Sequence, residues 1–391
     1  MKITGVRTVI AGNPWKNWLF ALVDTDEGIT GIGEGTLNAF ARTVETAIHE
    51  LRPFYIGLDP FQPALIAQRM TRDIYSDGGQ IHRCAVAAVE IACYDIMGKA
   101  TARPVADLLG GRCHGRLRAY ANGWYRGPRT PRDIAARARE VAARGYTARK
   151  FDPFGTAWRV MGPADEALSI DIIAAVREAV GPGVDLLIEG HSRFSASTAV
   201  RLATLMEPYH PAWFEEPVHH KDVAGTARVG HESRVPLATG ESLTSLEEVA
   251  TVLGNGGVAV LQPEPLNMGG MWAARQACAM AEAHGIVIAP HQAQGPVCTA
   301  ACVQLSASCP NFYMQEFFDE FNAESAAWEA HIASPPTAVV DGYIEAPTRP
   351  GLGLELDLEE IARHPYEQAA YLPLFRSGWE RRDPVIEAET H

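Results

Sequence analysis

Asp185-Leu186-Leu187-Ile188-Glu189, Ala212-Trp213-Phe214-Glu215-Glu216 and Pro236-Leu237-Ala238-Thr239-Gly240-Glu241 decide the reading of this chain. Each is a short apolar run of strand character that ends in an acid, and Glu189, Glu215 and Glu241 stand 26 residues apart in both steps. That interval is one strand, one helix and their turns, the repeat of a parallel β/α architecture. In a closed barrel it places successive strand ends side by side on one rim. Five further runs keep the rhythm: Leu117 to Asn122, Thr147 to Asp152, Val258 to Gln262, Ile286 to Pro290 and Phe312 to Glu316. Helical spacing fills the gaps at Pro131 to Arg144, Ala164 to Val180, Ser195 to Met206, Leu246 to Leu253, Met271 to Ala283 and Val297 to Ala307. Eight strand-helix units predict an α/β fold, a (β/α) barrel over residues 116–320.

The flanks read differently. Residues 1–115 open with alternating segments, Ile3 to Val9 and Trp18 to Thr25, then a glycine-rich turn, Gly28 to Gly35. Helical patterns follow at Ala39 to Leu51, Pro63 to Ile74 and Arg83 to Ala100, so an α+β domain is expected. Residues 321–391 carry Pro350-Gly351-Leu352-Gly353 and the stretch from Pro365 to Phe375, and are expected to pack back on the N-terminal domain. The competing doubly wound sheet lacks a Gly-x-Gly-x-x-Gly turn between a strand and a helix, because Gly31-Ile32-Gly33-Glu34-Gly35 lies between strands.

Composition narrows the partners. In 391 residues, 34 Lys and Arg face 47 Asp and Glu, a net charge of −13, with no dense basic run. Nucleic acid and anionic membrane are therefore not expected partners. No apolar stretch reaches the length of a membrane span, and Met1-Lys2-Ile3-Thr4 lacks the core of a signal peptide, so a cytoplasmic protein is expected. The seven cysteines form no Cys-x-x-Cys pair and are odd in number, which favours neither a disulfide framework nor a thiolate zinc site.

Chemistry in such barrels sits at the C-terminal strand ends. Three adjacent carboxylates repel one another unless a cation neutralises them, and three oxygen ligands with room for water suit Mg²⁺. The other strands end with Lys150 and Asp152, Glu264, His291 and Glu316. Alternation puts Lys150 with Asp152, and Glu189 with His191, on one face, while Glu216 points away as a structural residue. Glu264 is placed to hold one tautomer of His291. A cation on a substrate carboxylate, with a histidine to take the adjacent proton, is the equipment for α-proton abstraction through an enediolate. His219 and His220, after the fourth strand, have no assigned role.

These residues resemble the enolase superfamily, in its mandelate racemase subgroup. Ala88-Val89-Glu90-Ile91-Ala92-Cys93-Tyr94-Asp95-Ile96-Met97-Gly98-Lys99 and Leu108-Leu109-Gly110-Gly111 resemble the end of that family's capping domain. Glu189-Gly190-His191-Ser192-Arg193-Phe194, Ala289-Pro290-His291 with Gly295-Pro296, and Pro350-Gly351-Leu352-Gly353 are similar to the sugar-acid dehydratases. The resemblance implies a modified barrel with an N-terminal capping domain completed by the C-terminal tail. It implies Mg²⁺ on Glu189, Glu215 and Glu241, His291 as base paired with Glu264, and His191 as the acid that expels the C3 hydroxyl. Lys150, Asp152 and Glu316 would bind a small anionic sugar acid, Lys150 alternatively balancing the carboxylate charge. Specificity would come from capping loops, with Trp18 and Tyr75 as contacts, in Asn13-Pro14-Trp15-Lys16-Asn17-Trp18 and Tyr75-Ser76-Asp77-Gly78-Gly79, Trp18 alternatively being the first core residue of a strand. A homo-oligomer is expected.

Three departures refine this. Glu189 stands where Asp is usual, Glu264 likewise replaces Asp, and Lys150-Phe151-Asp152 replaces a Lys-x-Lys, so the second base of a mandelate-type racemase is missing. No lysine follows Lys221, which excludes the subgroups that use a sixth-strand lysine. A lyase is expected, with a cycloisomerase or epimerase using the same enediolate as the alternative. A non-catalytic binding subunit would have lost a ligand or the base, and this chain has kept them.

Overall fold

The computed structural model describes residues 1–379 apart from Pro14 and Ser325, so Pro14 of the first capping loop and the charged end beyond Trp379 lie outside the described residues. β1 (Ile3–Asn13), β2 (Lys16–Thr25) and β3 (Thr30–Glu34) form an antiparallel meander, α1 (Ala41–Glu50) and α3 (Gly79–Thr101) pack on it, and α2 (Pro63–Arg72) packs on α3. Its alanine-rich middle, Cys84 to Ile96, lets α3 sit fully buried on β3. The glycines of β3 permit that approach, because a Cβ on Gly31 or Gly33 would collide with the carbonyls of Ala92 or Ala88. The Gly-x-Gly is thus a packing device. The short α4 (Val105–Leu108) leads into the barrel.

Among the described residues, eight parallel strands follow: β4 (Arg116–Ala121), β5 (Ala148–Phe151), β6 (Asp185–Glu189), β7 (Trp213–Glu215), β8 (Leu237–Thr239), β9 (Val258–Leu261), β10 (Val287–Ile288) and β11 (Gln315–Phe317). Hydrogen bonds run from β10 through β9, β8, β7, β6, β5 and β4 to β11, and the Ile288–Phe312 bridge closes the barrel. Between them lie α5 (Pro131–Ala143), α6 (Pro163–Val180), α7 (Ala196–Met206), α8 (Val223–Glu232), α9 (Leu246–Asn255), α10 (Met271–Ala283) and α11 (Pro296–Ser308). Local chemistry starts several of them: Thr130, Ser195, Asp222 and Ser245 accept from backbone N–H groups of the first turn, and Pro131, Pro163 and Pro296 take early positions where no N–H is needed.

Two expectations need correction. Among the described residues, the helix directly after the eighth strand is the short α12 (Asp319–Ala323), so seven full helices separate eight strands. β8 ends at Thr239, before Glu241, because Gly240 turns the chain at φ 134° and its N–H leaves the ladder for Glu216.

One inner layer plugs the barrel: Tyr120, Ala148, Leu187, Trp213, Ala238, Val260, Ala289 and Met314, one residue from each strand or its margin. Side chains two residues further along face the same interior one layer higher. Those positions are Asn122, Lys150, Glu189, Glu215, Gly240, Gln262, His291 and Glu316. The polar rim is this second layer.

Past α12 the chain returns to the meander. β12 (Ala333–Ser334) pairs with β14 (Glu355–Leu356), and β13 (Tyr343–Glu345) pairs antiparallel with β4. α13 (Leu358–Arg363) lies on β1, where Gly12 N donates to His364 O, and Asn17 bonds Glu367 and Ala370. Two buried glutamates fasten the meander and its helix to the barrel. Glu34 accepts from Gly295 N and Cys298 N at the start of α11, and Glu90 accepts from Met271 N and Trp272 N at the start of α10. Both meet the unpaired amides and positive end of a helix dipole.

Candidate active site

Glu189, Glu215 and Glu241 converge at the rim, one oxygen of each lying within 4.8 Å of the others. Burial raises all three carboxyls: Glu189 to about 7, with Glu241 adding repulsion, and Glu215 upward with Glu189 adding repulsion. Lys150, fully enclosed, opposes this. Its Nζ pairs with Glu215, with Glu316 Oε1 at 2.9 Å and with Glu189 Oε2 at 3.3 Å. An all-oxygen donor set, buried, crowded and short of positive charge, fits a hard divalent cation.

Glu316 is held from several sides. Oε1 accepts from Asn122 Nδ2 at 2.7 Å, and Oε2 accepts from Gln292 N at 2.8 Å. Burial pushes its carboxyl up, but Lys150 and His291 outweigh that and hold it below the usual value.

On one side of the cluster, His291 Nδ1 lies 2.5 Å from Glu264 Oε2, with Nε2 at 3.4 Å from Glu241 and 4.0 Å from Glu316. Burial lowers the imidazole, yet the three surrounding carboxylates prevail and raise it to about 10. On the other side, His191 N donates to Glu189 Oε1 at 2.6 Å, and its Nδ1 lies 2.6 Å from Asp152 Oδ2. His191 and Ser192 adopt left-handed φ values of 48° and 58°, strain that brings this ring back beside the ligand two residues earlier. Thus two histidines flank one carboxylate cluster, each held at Nδ1 by its own acid, with Nε2 as the opposite ring nitrogen.

Other expectations are redistributed. Asp152, expected to bind substrate, is engaged internally by Phe154 N, His191 and Arg193. Trp18 is a core residue: it faces inward from β2, 2% exposed, with its ring edge-on to Trp328 at 6.2 Å. Trp15 is the tryptophan of that loop that packs on Phe318, beside β11. Tyr75 is fully exposed and lines a cavity of about 560 Å³ with Arg83, Thr244, Ser245 and Met268. Glu216 is structural, accepting from Ser192 Oγ, Thr239 Oγ1 and Gly240 N. His219 and His220 stack on each other at 4.3 Å.

The descriptions of two family domains match this chain: the mandelate racemase/muconate lactonizing enzyme N-terminal domain over residues 11–110, and the enolase C-terminal-like domain over residues 133–361. The chain belongs to the enolase superfamily.

Relatives of this superfamily chain include the D-gluconate dehydratase of Thermoproteus tenax, 34% identical over 90% of the chain and 71% of that protein. The D-galactonate dehydratase of Variovorax paradoxus is 35% identical over 92% of the chain and 94% of that protein. Among solved structures, a mandelate racemase/muconate lactonizing enzyme from Sulfitobacter superposes with a TM-score of 0.88 at 34% identity, covering 94% of this chain and 96% of that one. In this superfamily member, sequence reasoning passed over Arg193, Asn122, Gln294 and Trp379. The two-residue offset from the plug layer marks Asn122, but Trp379 stands 188 positions from its neighbour His191 and no local signal points to it.

Proposed function

We propose that this protein is a Mg²⁺-dependent sugar-acid dehydratase, a lyase converting an aldonate to a 2-keto-3-deoxy acid. The observation that carries this is the pair of carboxylate-held histidines on either side of one acidic cluster, supported by relatives that bear dehydratase names. Glu189, Glu215 and Glu241 would hold the cation, which when bound supplies Lewis-acid neutralisation of the substrate carboxylate. Glu241, Glu316 and Glu264 together raise His291, and with Glu241 engaged on a cation the first of these pulls would be removed, leaving the imidazole readier to act as a base.

His291 Nε2 takes the C2 proton, and the C2–H electron pair moves into the carboxylate to form an enediolate. As that pair returns to form the C2–C3 double bond, the C3–O bond breaks and His191 Nε2 donates the proton that lets the hydroxyl leave as water. The enol then tautomerises to the 2-keto acid. Lys150 meets the substrate carboxylate and balances the cluster charge, while Glu316, charged and already accepting from Asn122 Nδ2 and Gln292 N, fixes Lys150 in place. Glu264 and Asp152 hold the two rings.

Proton NMR in D₂O with Mg²⁺ and D-gluconate or D-galactonate tests this. The expected result is a 2-keto-3-deoxy product, lost on chelation, and lost with C2–H exchange in His291→Asn by about 10³-fold or more. Exchange or a new isomer without loss of water, across a panel of sugar acids, would move the protein to the epimerases or cycloisomerases.

A further inference from the structure

Lys16 sits at the tip of the β1–β2 hairpin, yet it is 5% exposed because the tip inserts against the barrel mouth. Its Nζ donates to Ala293 O at 2.7 Å and to Gln294 Oε1 at 2.8 Å. Among the described residues no carboxylate comes within ion-pair distance of it. Gln294 in turn points Nε2 at both oxygens of Glu264, 3.3 Å each, and Glu264 holds His291 Nδ1.

A carboxamide has two chemically different ends that are nearly the same shape, so what surrounds it decides which end faces where. An ammonium has only donors. Lys16 can therefore meet only the oxygen of Gln294, and that requirement turns the amide N–H groups toward Glu264. With Lys16 absent the amide oxygen loses its buried donor, and the side chain is held at its Glu264 end alone, free to shift away from the carboxylate. We infer that Lys16 is a positioning residue of the proton-transfer pair, acting from the capping domain through Gln294 to keep Glu264 in place for His291.

The chain Lys16–Gln294–Glu264–His291 makes the docked hairpin a condition for an aligned base. Burial lowers the Lys16 ammonium to about 8 against the pull of Glu264 and Glu34, so it is charged at neutral pH. This inference rests on the reading of His291 as the base, and its consequence for rate follows from that reading. The alignment itself does not.

The test uses the full-length protein with Mg²⁺. One-dimensional proton NMR in water should show a far-downfield proton between Glu264 and His291, assigned by its absence in His291→Asn. In Lys16→Met that signal is expected to move upfield or broaden. Lys16→Met and Gln294→Met should each lower kcat about 10- to 100-fold with KM little changed, and the double variant should be no worse than the weaker single. Gln294→Met reaches the same chain from the other end should Lys16→Met fail to fold. An unchanged proton signal overturns the inference, as do losses that multiply in the double variant, or a loss confined to KM, which would put Lys16 on the substrate. If the wild type turns over no sugar acid, the function reading fails while the proton signal still decides this one.

Discussion

The Asp152 carboxylate accepts from Phe154 N at 2.8 Å through one oxygen, and through the other meets His191 Nδ1 at 2.6 Å and the Arg193 guanidinium. Burial alone would raise this acid, but Arg193 and then His191 keep it below its ordinary value and so charged. A charged, fully engaged carboxylate fixes the ring beside it better than it could serve a ligand. Asp152→Ala is therefore expected to slow water loss about 10- to 100-fold while leaving C2–H exchange, which depends on His291, little changed. Equal loss of both rates, followed by NMR in D₂O, would show that Asp152 acts on more than His191.

Helices α10 and α11 begin without side-chain caps of their own, and the capping domain provides them through Glu90 and Glu34. Truncating Glu90 to Ala leaves two buried N–H groups unpaired, at about 1–3 kcal/mol each, which should appear as a lowered Tm. The pH dependence has a definite sign. Burial, only partly offset by Trp272 N and Met271 N, raises the folded-state carboxyl from 4.5 to about 7. Its contribution is then full below the unfolded value and is lost as pH rises through the folded one, by about 3 kcal/mol. The stability of wild type relative to Glu90→Gln should thus shrink between pH 5 and pH 8. A difference that stays constant by thermal melts across that range would rule out ionisation at Glu90.

Across the whole molecule, the C-terminal segment does more than complete the meander. Trp379 is buried against the barrel, with its indole N–H on Gly155 O at 3.1 Å and its ring edge-on to His191 at 5.8 Å. Phe375 packs on Trp158 and on the Arg193 guanidinium. The end of the described chain therefore walls the His191 side of the site, as the hairpin tip walls the His291 side. Trp379→Ala should lower the rate of water loss about tenfold or more by loosening His191, with Tm shifted only a few degrees. A large Tm loss with an unchanged rate in the remaining folded protein would make Trp379 purely structural.

Much of this was legible in one dimension. Strand rhythm, the 26-residue interval between acids, and the alternation joining Lys150 to Asp152 and Glu189 to His191 are properties of neighbouring residues, and a period-2 strand in a parallel barrel translates them directly into place. The rim carboxylates and His291 followed from that. What sequence could not hold is contact between distant parts of the chain: Trp379 on His191, Lys16 on Gln294, Glu90 on α10, and the engagement of Asp152 by Arg193. Trp18 stood open between a sugar contact and a strand core for the same reason, since its neighbours in the chain do not tell which face of a hairpin meets the core. Local pattern determined the barrel and the identity of its polar rim. Only tertiary packing, which buries these groups and so sets their partners and charges, decided which of them face the carboxylate cluster and which are engaged by other side chains.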